Sequence, residues 1–192
     1  MLDCRYHIFS CHETNMYPIN QFVDEGKLHL ENYDVIHFVS NSQKKWHAVN
    51  HPSVIIPPVV SKIAWEDPKN KTAGVVGNID SHKQVHLSVK RALEDGFKKV
   101  LLFGNVSDPE YFNEGVKPWM DTKDVVLVGH LDDKESMYSQ ISAVYHSSKR
   151  ETYGLVEAEC KLAGIPFNGP SNNQDILDKD EILERWVKIL TV

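Results

Sequence analysis

The chain has 192 residues, 41% of them hydrophobic and 25% charged, enough for one domain or one and a half around a real core. A formal net charge of −6, with acidic residues spread along the chain, argues against a broad basic face for nucleic acid. No apolar run approaches the ~18–20 residues of a membrane span, no basic-then-apolar leader opens the chain, and Cys4, Cys11 and Cys160 are too few and too odd for a disulfide framework, so a reducing cytoplasm is expected.

From the amino end, the pattern predicts strands at Tyr6–Ser10, Val35–Ser40 and Val54–Ile56, with a helix at Ser42–Val49 between the last two. Pro57, Pro58 and Pro68 then interrupt the chain. They cannot supply ladder N–H groups, and the polar residues around them mark a boundary running to Asn70-Lys71. Beyond it the alternation resumes. Strands are expected at Ala73–Val76, Val100–Phe103, Val125–Val128 and Ala143–His146, and helices at Gln84–Asp95, Pro109–Glu114, Lys134–Ile141, Gly154–Ala163 and Asp180–Leu190.

Most of these strands are short apolar runs without a polar face, as expected where a parallel sheet is covered on both sides. Strand–helix alternation at this spacing predicts an α/β fold of the doubly wound, Rossmann-like kind. Thr72 to Gly169 holds four or five βα units, close to one complete domain. Residues 1–60 hold too few strands for a domain of this type and read as a partial Rossmann-like segment. Residues 61–192 then form the main domain, closed by a carboxy-terminal helix whose apolar stripe includes Ile182, Leu183, Trp186 and Leu190.

The most informative stretch is Glu151-Thr152-Tyr153-Gly154-Leu155-Val156-Glu157-Ala158-Glu159, continuing to Ala163-Gly164-Ile165-Pro166. It sets one carboxylate in a loop and another in the second turn of the following helix. Unpaired N–H groups and a partial positive charge at that helix start, near Gly154 and Leu155, favour a phosphate. A carboxylate on either side accepts from hydroxyls, which suits a sugar at one end and a ribose at the other. Glu157 lies two residues, or roughly 200°, from Glu159 and faces elsewhere.

This stretch resembles the group 1 (glycogen-synthase-like) retaining glycosyltransferases. Their GT-B fold sets two Rossmann-like domains across a cleft, and their carboxy-terminal domain carries an acidic residue, seven intervening residues and a glutamate. Glu151 and Glu159 match that spacing, and Gly154, Leu155 and Val156 match residues between them. Val75-Val76-Gly77-Asn78-Ile79-Asp80-Ser81-His82-Lys83 is similar to the family's first donor-domain strand and loop, with Lys83 at the diphosphate lysine and Asn78 where an arginine is common. Val126-Leu127-Val128-Gly129-His130-Leu131 resembles the strand and turn lining the base pocket. Asp34–Ser40, Gln43-Lys44-Lys45-Trp46 and Val54-Ile55-Ile56-Pro57 resemble the end of the amino-terminal domain. A family member carries about 100 further residues ahead of this point, by ordinary domain size, and that part shapes the acceptor site.

The resemblance implies a hexosyltransferase drawing on a nucleoside-diphosphate sugar, with an acceptor (sugar, lipid or protein) left open. Residues 1–60 become the acceptor side and 61–192 the donor-binding domain. Lys83 and the N–H groups near Gly154 and Leu155 stabilise the leaving diphosphate, so no metal or other cofactor is required. Glu151 orients the hexose, Glu159 holds the ribose, and Gly77, Gly129, His130 and Val156 complete the donor site. Arg150 is a candidate replacement for the cation absent at Asn78, and His12 a candidate facing the donor sugar. Two alternatives remain open: a non-catalytic nucleotide-binding module, and a half-enzyme completed by a second copy or a partner chain.

Other chemistries lack their signatures. Cys4, His7, Cys11 and His12 are irregularly spaced on or beside a strand whose side chains alternate faces, which disfavours zinc. Gly77-Asn78-Ile79-Asp80 is not the dinucleotide fingerprint, and neither a Walker loop nor a G-x-S-x-G elbow occurs.

Overall fold

In the computed structural model, which describes residues 7–11, 18–171 and 175–191, apolar runs and capped helices alternate along the chain. The elements are β1 (Ile8–Cys11), α1 (Ile19–Asp24), β2 (Val35–Phe38), α2 (Asn41–His47), β3 (Ser53–Ile55), β4 (Thr72–Val76), α3 (Val85–Glu94) and β5 (Lys99–Phe103). There follow α4 (Pro109–Tyr111), a π segment (Phe112–Val116), α5 (Lys117–Met120), β6 (Val125–Gly129), α6 (Lys134–Tyr138), β7 (Ala143–Tyr145), α7 (Leu155–Ala163), β8 (Phe167–Asn168) and α8 (Lys179–Leu190).

The chain divides into two compact units. The first comprises residues 1–60, 151–154 and 172–192, and the second residues 61–150 and 155–171. The closing helix therefore groups with the first unit rather than with residues 61–192, where the sequence pattern had put it. Its side chains explain why: Ile182 is buried, the Trp186 ring meets His37 of β2 edge-on at 4.7 Å, and Arg185 donates to the Ile55 carbonyl.

In the first unit, β1, β2 and β3 form a three-stranded parallel sheet in that order. Its core joins Cys11, Ile19, Ile36 and Phe38. Polar groups are buried there with partners. His37 bridges Ser10 Oγ at 2.7 Å and the Ile56 carbonyl at 2.8 Å, and Ser40 caps α2 by accepting from the Gln43 N–H at 3.1 Å.

The second unit is a five-stranded parallel sheet, ordered β6-β5-β4-β7-β8. β5 shows why its strands need no polar face. Val100 and Leu102 join one apolar layer with Val85, Val89 and Ala92 of α3, while Leu101 and Phe103 join the other with Met137, Tyr138 and Cys160 of α6 and α7. Each such buried aliphatic side chain contributes about 1.5–3 kcal/mol. Asp108 and Asp133 cap α4 and α6, accepting from Tyr111 N–H at 3.0 Å and Ser136 N–H at 3.2 Å.

Three features depart from the sequence pattern. β8 has only two residues and exists because it pairs with β7. α1 is six residues long, starts after Pro18 without a side-chain cap, and has no acidic first turn to announce it. The helix expected at Pro109–Glu114 runs on through the π segment, because Pro118 lacks the N–H that would meet the Glu114 carbonyl.

Candidate functional site

Strand order positions the candidate site in the second unit. From β4 the chain moves outward to β5 and β6, then returns to place β7 and β8 on β4's other side. The crevice beyond the carboxyl ends of β4 and β7 is therefore a topological switch point, where open α/β sheets bind ligands. Residues 77–84 and 146–150 form its two loops, and they are joined. Lys149 N–H donates to the His82 carbonyl at 3.0 Å, and His82 Nε2 donates to the Arg150 carbonyl at 2.7 Å. Ser148 Oγ also donates to that carbonyl, at 2.9 Å.

A row of glycines runs along the carboxyl edge. Gly77, Gly104 and Gly129 end or follow β4, β5 and β6 with φ of 132°, 142° and 90°. Gly77 N–H donates to the Phe103 carbonyl and Gly104 N–H to the Gly129 carbonyl, each at 2.9 Å. A Cβ on Gly104 would stand 2.0 Å from the Gly77 oxygen, so only glycine fits. A Cβ on Gly77 would lie 3.9 Å from Lys83 Cε, which shows the lysine stem lying beside that glycine. The loop that returns Lys83 there is turned by Asp80, whose Oδ1 accepts the Lys83 N–H at 2.8 Å and whose Oδ2 accepts from Ser107 Oγ at 3.3 Å.

Helix α7 carries Leu155 exposed at its amino end and Val156 packed against the core layer that contains Cys160. Glu157 and Glu159 are both buried, at 2% and 4% exposure, with separate partners as a roughly 200° separation dictates. Glu157 accepts from Ser171 Oγ at 2.6 Å and pairs with Lys161 at 2.8 Å. Glu159 accepts from the Tyr138 hydroxyl at 2.7 Å through Oε2, and the Lys134 ammonium holds Oε1. A buried carboxylate requires such partners. Burial, and then the Glu159 charge, push the Tyr138 phenol well above its ordinary value, so it remains a donor. The Cys160 thiol is raised to about 12, first by burial and then by the charges of Glu159 and Glu157, which makes it a packing residue rather than a nucleophile.

The remaining candidates are distributed as follows. His130 is exposed, with Nε2 3.1 Å from Asp132 Oδ1. Asn78 is exposed, and Arg150 is an exposed side chain next to the loop junction. Glu151 is partly buried and Gly154 has φ 82°; both group with the first unit. His12, like Cys4, lies outside the described residues. Among the described residues, no group of three or more His, Cys, Asp or Glu has a metal-holding arrangement. The first unit has its own hollow of about 170 Å³ at the carboxyl ends of β2 and β3, lined by Ser40, Asn41, Tyr153, Asp175 and Arg185 among others.

Sequence reasoning passed over Gly104, Lys134 and Tyr138. Gly104 directly follows a predicted strand, as Gly77 and Gly129 do, and that shared position was the available signal. Lys134 and Tyr138 are four apart on one helix, a spacing that brings two side chains to a common target.

No protein-family model matches the sequence, and no curated protein matches it. Solved structures do. Anabaena HepE, crystallised with UDP-glucose, superposes with a TM-score of 0.69 at 14% identity, over 96% of this chain and 64% of that one. The fold is that of part of a GT-B glycosyltransferase. The pneumococcal O-GlcNAc transferase GtfA, with UDP and GlcNAc, gives 0.62 at 15% identity, covering 96% of this chain and 45% of that one. TarM gives 0.62 at 16%, covering 96% and 43%. This GT-B chain thus spans between 43% and 64% of the length of these three structures. Among the described residues no helix is long and apolar enough to cross a membrane.

Proposed function

We propose that this chain binds a nucleoside-diphosphate sugar and transfers its hexose to an acceptor with retention of configuration. The observation that carries the reading is the place of Lys83: an ammonium stem beside Gly77, at the switch point of a sheet with the GT-B fold. Lys83 and the N–H groups at the start of α7, near Gly154, Leu155 and Val156, take the diphosphate. Charge-assisted bonds of this kind are each worth about 1.5–3 kcal/mol. As the sugar–phosphate bond breaks, the same groups stabilise the charge gathering on the leaving diphosphate, commonly the largest catalytic term. Arg150 adds charge from the neighbouring loop, offsetting Asn78.

Glu159 accepts the ribose hydroxyls. Its present partners suit that role: Tyr138 fixes one oxygen, and the half-exposed Lys134 yields the other to the ribose. Gly129 and His130 border the base. Glu151 orients the hexose by accepting from its hydroxyls. The hollow in the first unit, with the Asn41 amide and the Asp175 carboxylate on its lining, suits hydroxyls of a small acceptor group. The odd, sparse set of three cysteines supports a reducing, cytoplasmic setting.

A thermal-shift panel of nucleoside diphosphates and their sugar conjugates tests the binding half. Stabilisation grows as RT ln(1 + [L]/Kd), so at least one donor must raise the melting temperature in a dose-dependent way. Glu151→Ala then tests transfer: turnover falls while nucleotide affinity persists. A binding module without catalysis is the second reading, favoured by Asn78 standing where the resembled family commonly carries a cation. Tight donor binding with neither hydrolysis nor transfer to any screened acceptor identifies it.

A further inference from the structure

Helix α8 has more apolar surface than its own unit uses. One side is spent inward, through Ile182 at 3% exposure and Trp186 against His37. Yet Leu183, Val187 and Leu190 stand 49%, 57% and 60% exposed. At 100° per residue these three fall within an arc of about 60°, a continuous outward stripe rather than scattered positions. Leu183 and Val187 border a shallow hollow of about 420 Å³ that Asp180, Glu184 and Lys188 also line. Isolated exposed aliphatics mean little, but a stripe along one helix face signals a covering surface.

Charge selects the cover. Glu184 and Lys188 lie on the same flank of the stripe, about 60° and 100° round from Val187, and neither has an ion-pair partner among the described residues. From the geometry we infer that α8 pairs with α8 of a second copy of this chain, antiparallel, about a two-fold axis passing beside residues 186 and 187. That one axis satisfies three pairings together to within about one residue. Val187 meets Val187, Leu183 meets the partner's Leu190, and Lys188 meets the partner's Glu184. An antiparallel pair brings the same flank of each helix together, so the charged pair occurs twice, once on each side of the axis. A parallel pair about a two-fold would instead put the two charged flanks on opposite sides of the seam, where Glu184 and Lys188 do not meet their counterparts. The interface is isologous and closes on itself. Three aliphatic side chains per copy fall short of a standard stable interface, so the dimer is weak, with a Kd on the order of 10 µM to 1 mM.

Sedimentation velocity on the full chain, loaded from about 5 to about 500 µM, tests this. The expected result is a concentration-dependent shift from monomer toward dimer. Val187→Glu abolishes it, and Lys188→Glu weakens it at least about tenfold by placing carboxylates opposite each other. The double exchange Glu184→Lys with Lys188→Glu restores it. All three changes are at exposed sites, and far-UV circular dichroism checks that each variant folds. A monomer at every loading, unchanged self-association in Val187→Glu, or no recovery in the double exchange overturns the inference. A monomer that instead binds another protein through this stripe would assign the face to a different partner and also overturn it.

Discussion

The Tyr138 hydroxyl donates to Glu159 Oε2 at 2.7 Å, tying the end of α6 to the middle of α7 inside the second unit. The bond does two things. It satisfies half of a carboxylate that is only 4% exposed, and it fixes that carboxylate's rotation so that its other oxygen meets Lys134. Tyr138→Phe keeps the ring's packing and removes only the donor. Stability should fall by about 1–3 kcal/mol, the cost of leaving a buried acceptor short of a partner. Chemical denaturation measures it, and a midpoint equal to wild type would show that the bond contributes nothing.

Lys134 has the opposite character. Its side chain is half exposed, so solvent screens the pair and the loss of stability in Lys134→Met should stay below about 1 kcal/mol. On the proposed role, Lys134 yields its oxygen to the ribose. Nucleoside-diphosphate affinity in Lys134→Met should therefore hold or improve. A tenfold loss, read by calorimetry, would make Lys134 itself a ligand and reassign the site.

The strands were legible because both sides of the second sheet are buried, leaving unbroken apolar runs such as Val100–Phe103. The loop carrying Gly77 and Lys83 was legible as a strand–loop–helix boundary, whereas the switch point beside it depends on β4 pairing with both β5 and β7. What sequence could not give was long-range. β8 is defined only by pairing with β7, and α8 is placed in the first unit by contacts such as Trp186 with His37, 149 positions apart along the chain. Partners of Glu159 were hidden for the same reason. Charge and spacing reveal that a helix carries Lys134 and Tyr138 on neighbouring turns, but not which carboxylate they meet.

Gly104→Ala tests the glycine row. The added methyl group would stand 2.0 Å from the Gly77 carbonyl, and the backbone sits at φ 142°, where an L side chain is strained. Neither problem is relieved by a rotamer change. A loss of about 2–5 kcal/mol is expected, with weakened nucleotide binding because Gly77 and Lys83 shift together. Thermal denaturation of this variant decides it, and wild-type stability would mean that the loops move freely past each other.

Cys160 predicts an alkaline limit. Its folded value of about 12 lies above the ordinary thiol value of about 8.5 in the unfolded chain. Below that ordinary value both states hold the proton, and the contribution is complete. Between it and the folded value the unfolded chain alone ionises, so stability declines as pH rises toward about 12. Tyr138, also raised, adds to the decline in the same direction. Urea midpoints should fall from about pH 8.5 upward and fall less steeply in Cys160→Ala. In the native protein at neutral pH, Cys160 should resist alkylation by iodoacetamide and react only after denaturation.

The most direct measurement is calorimetric titration of wild type, Lys83→Ala and Glu159→Gln with the nucleoside diphosphate that stabilises the chain most, and with its 2′,3′-dideoxy counterpart. Wild type should prefer the ribose form, and Lys83→Ala should weaken both ligands at least about tenfold. Glu159→Gln should weaken the ribose form toward the level of the dideoxy form, whose own affinity barely changes. Equal binding of both ligands by wild type, or unaltered binding in the two variants, would contradict the assignment of this switch point to a nucleotide sugar.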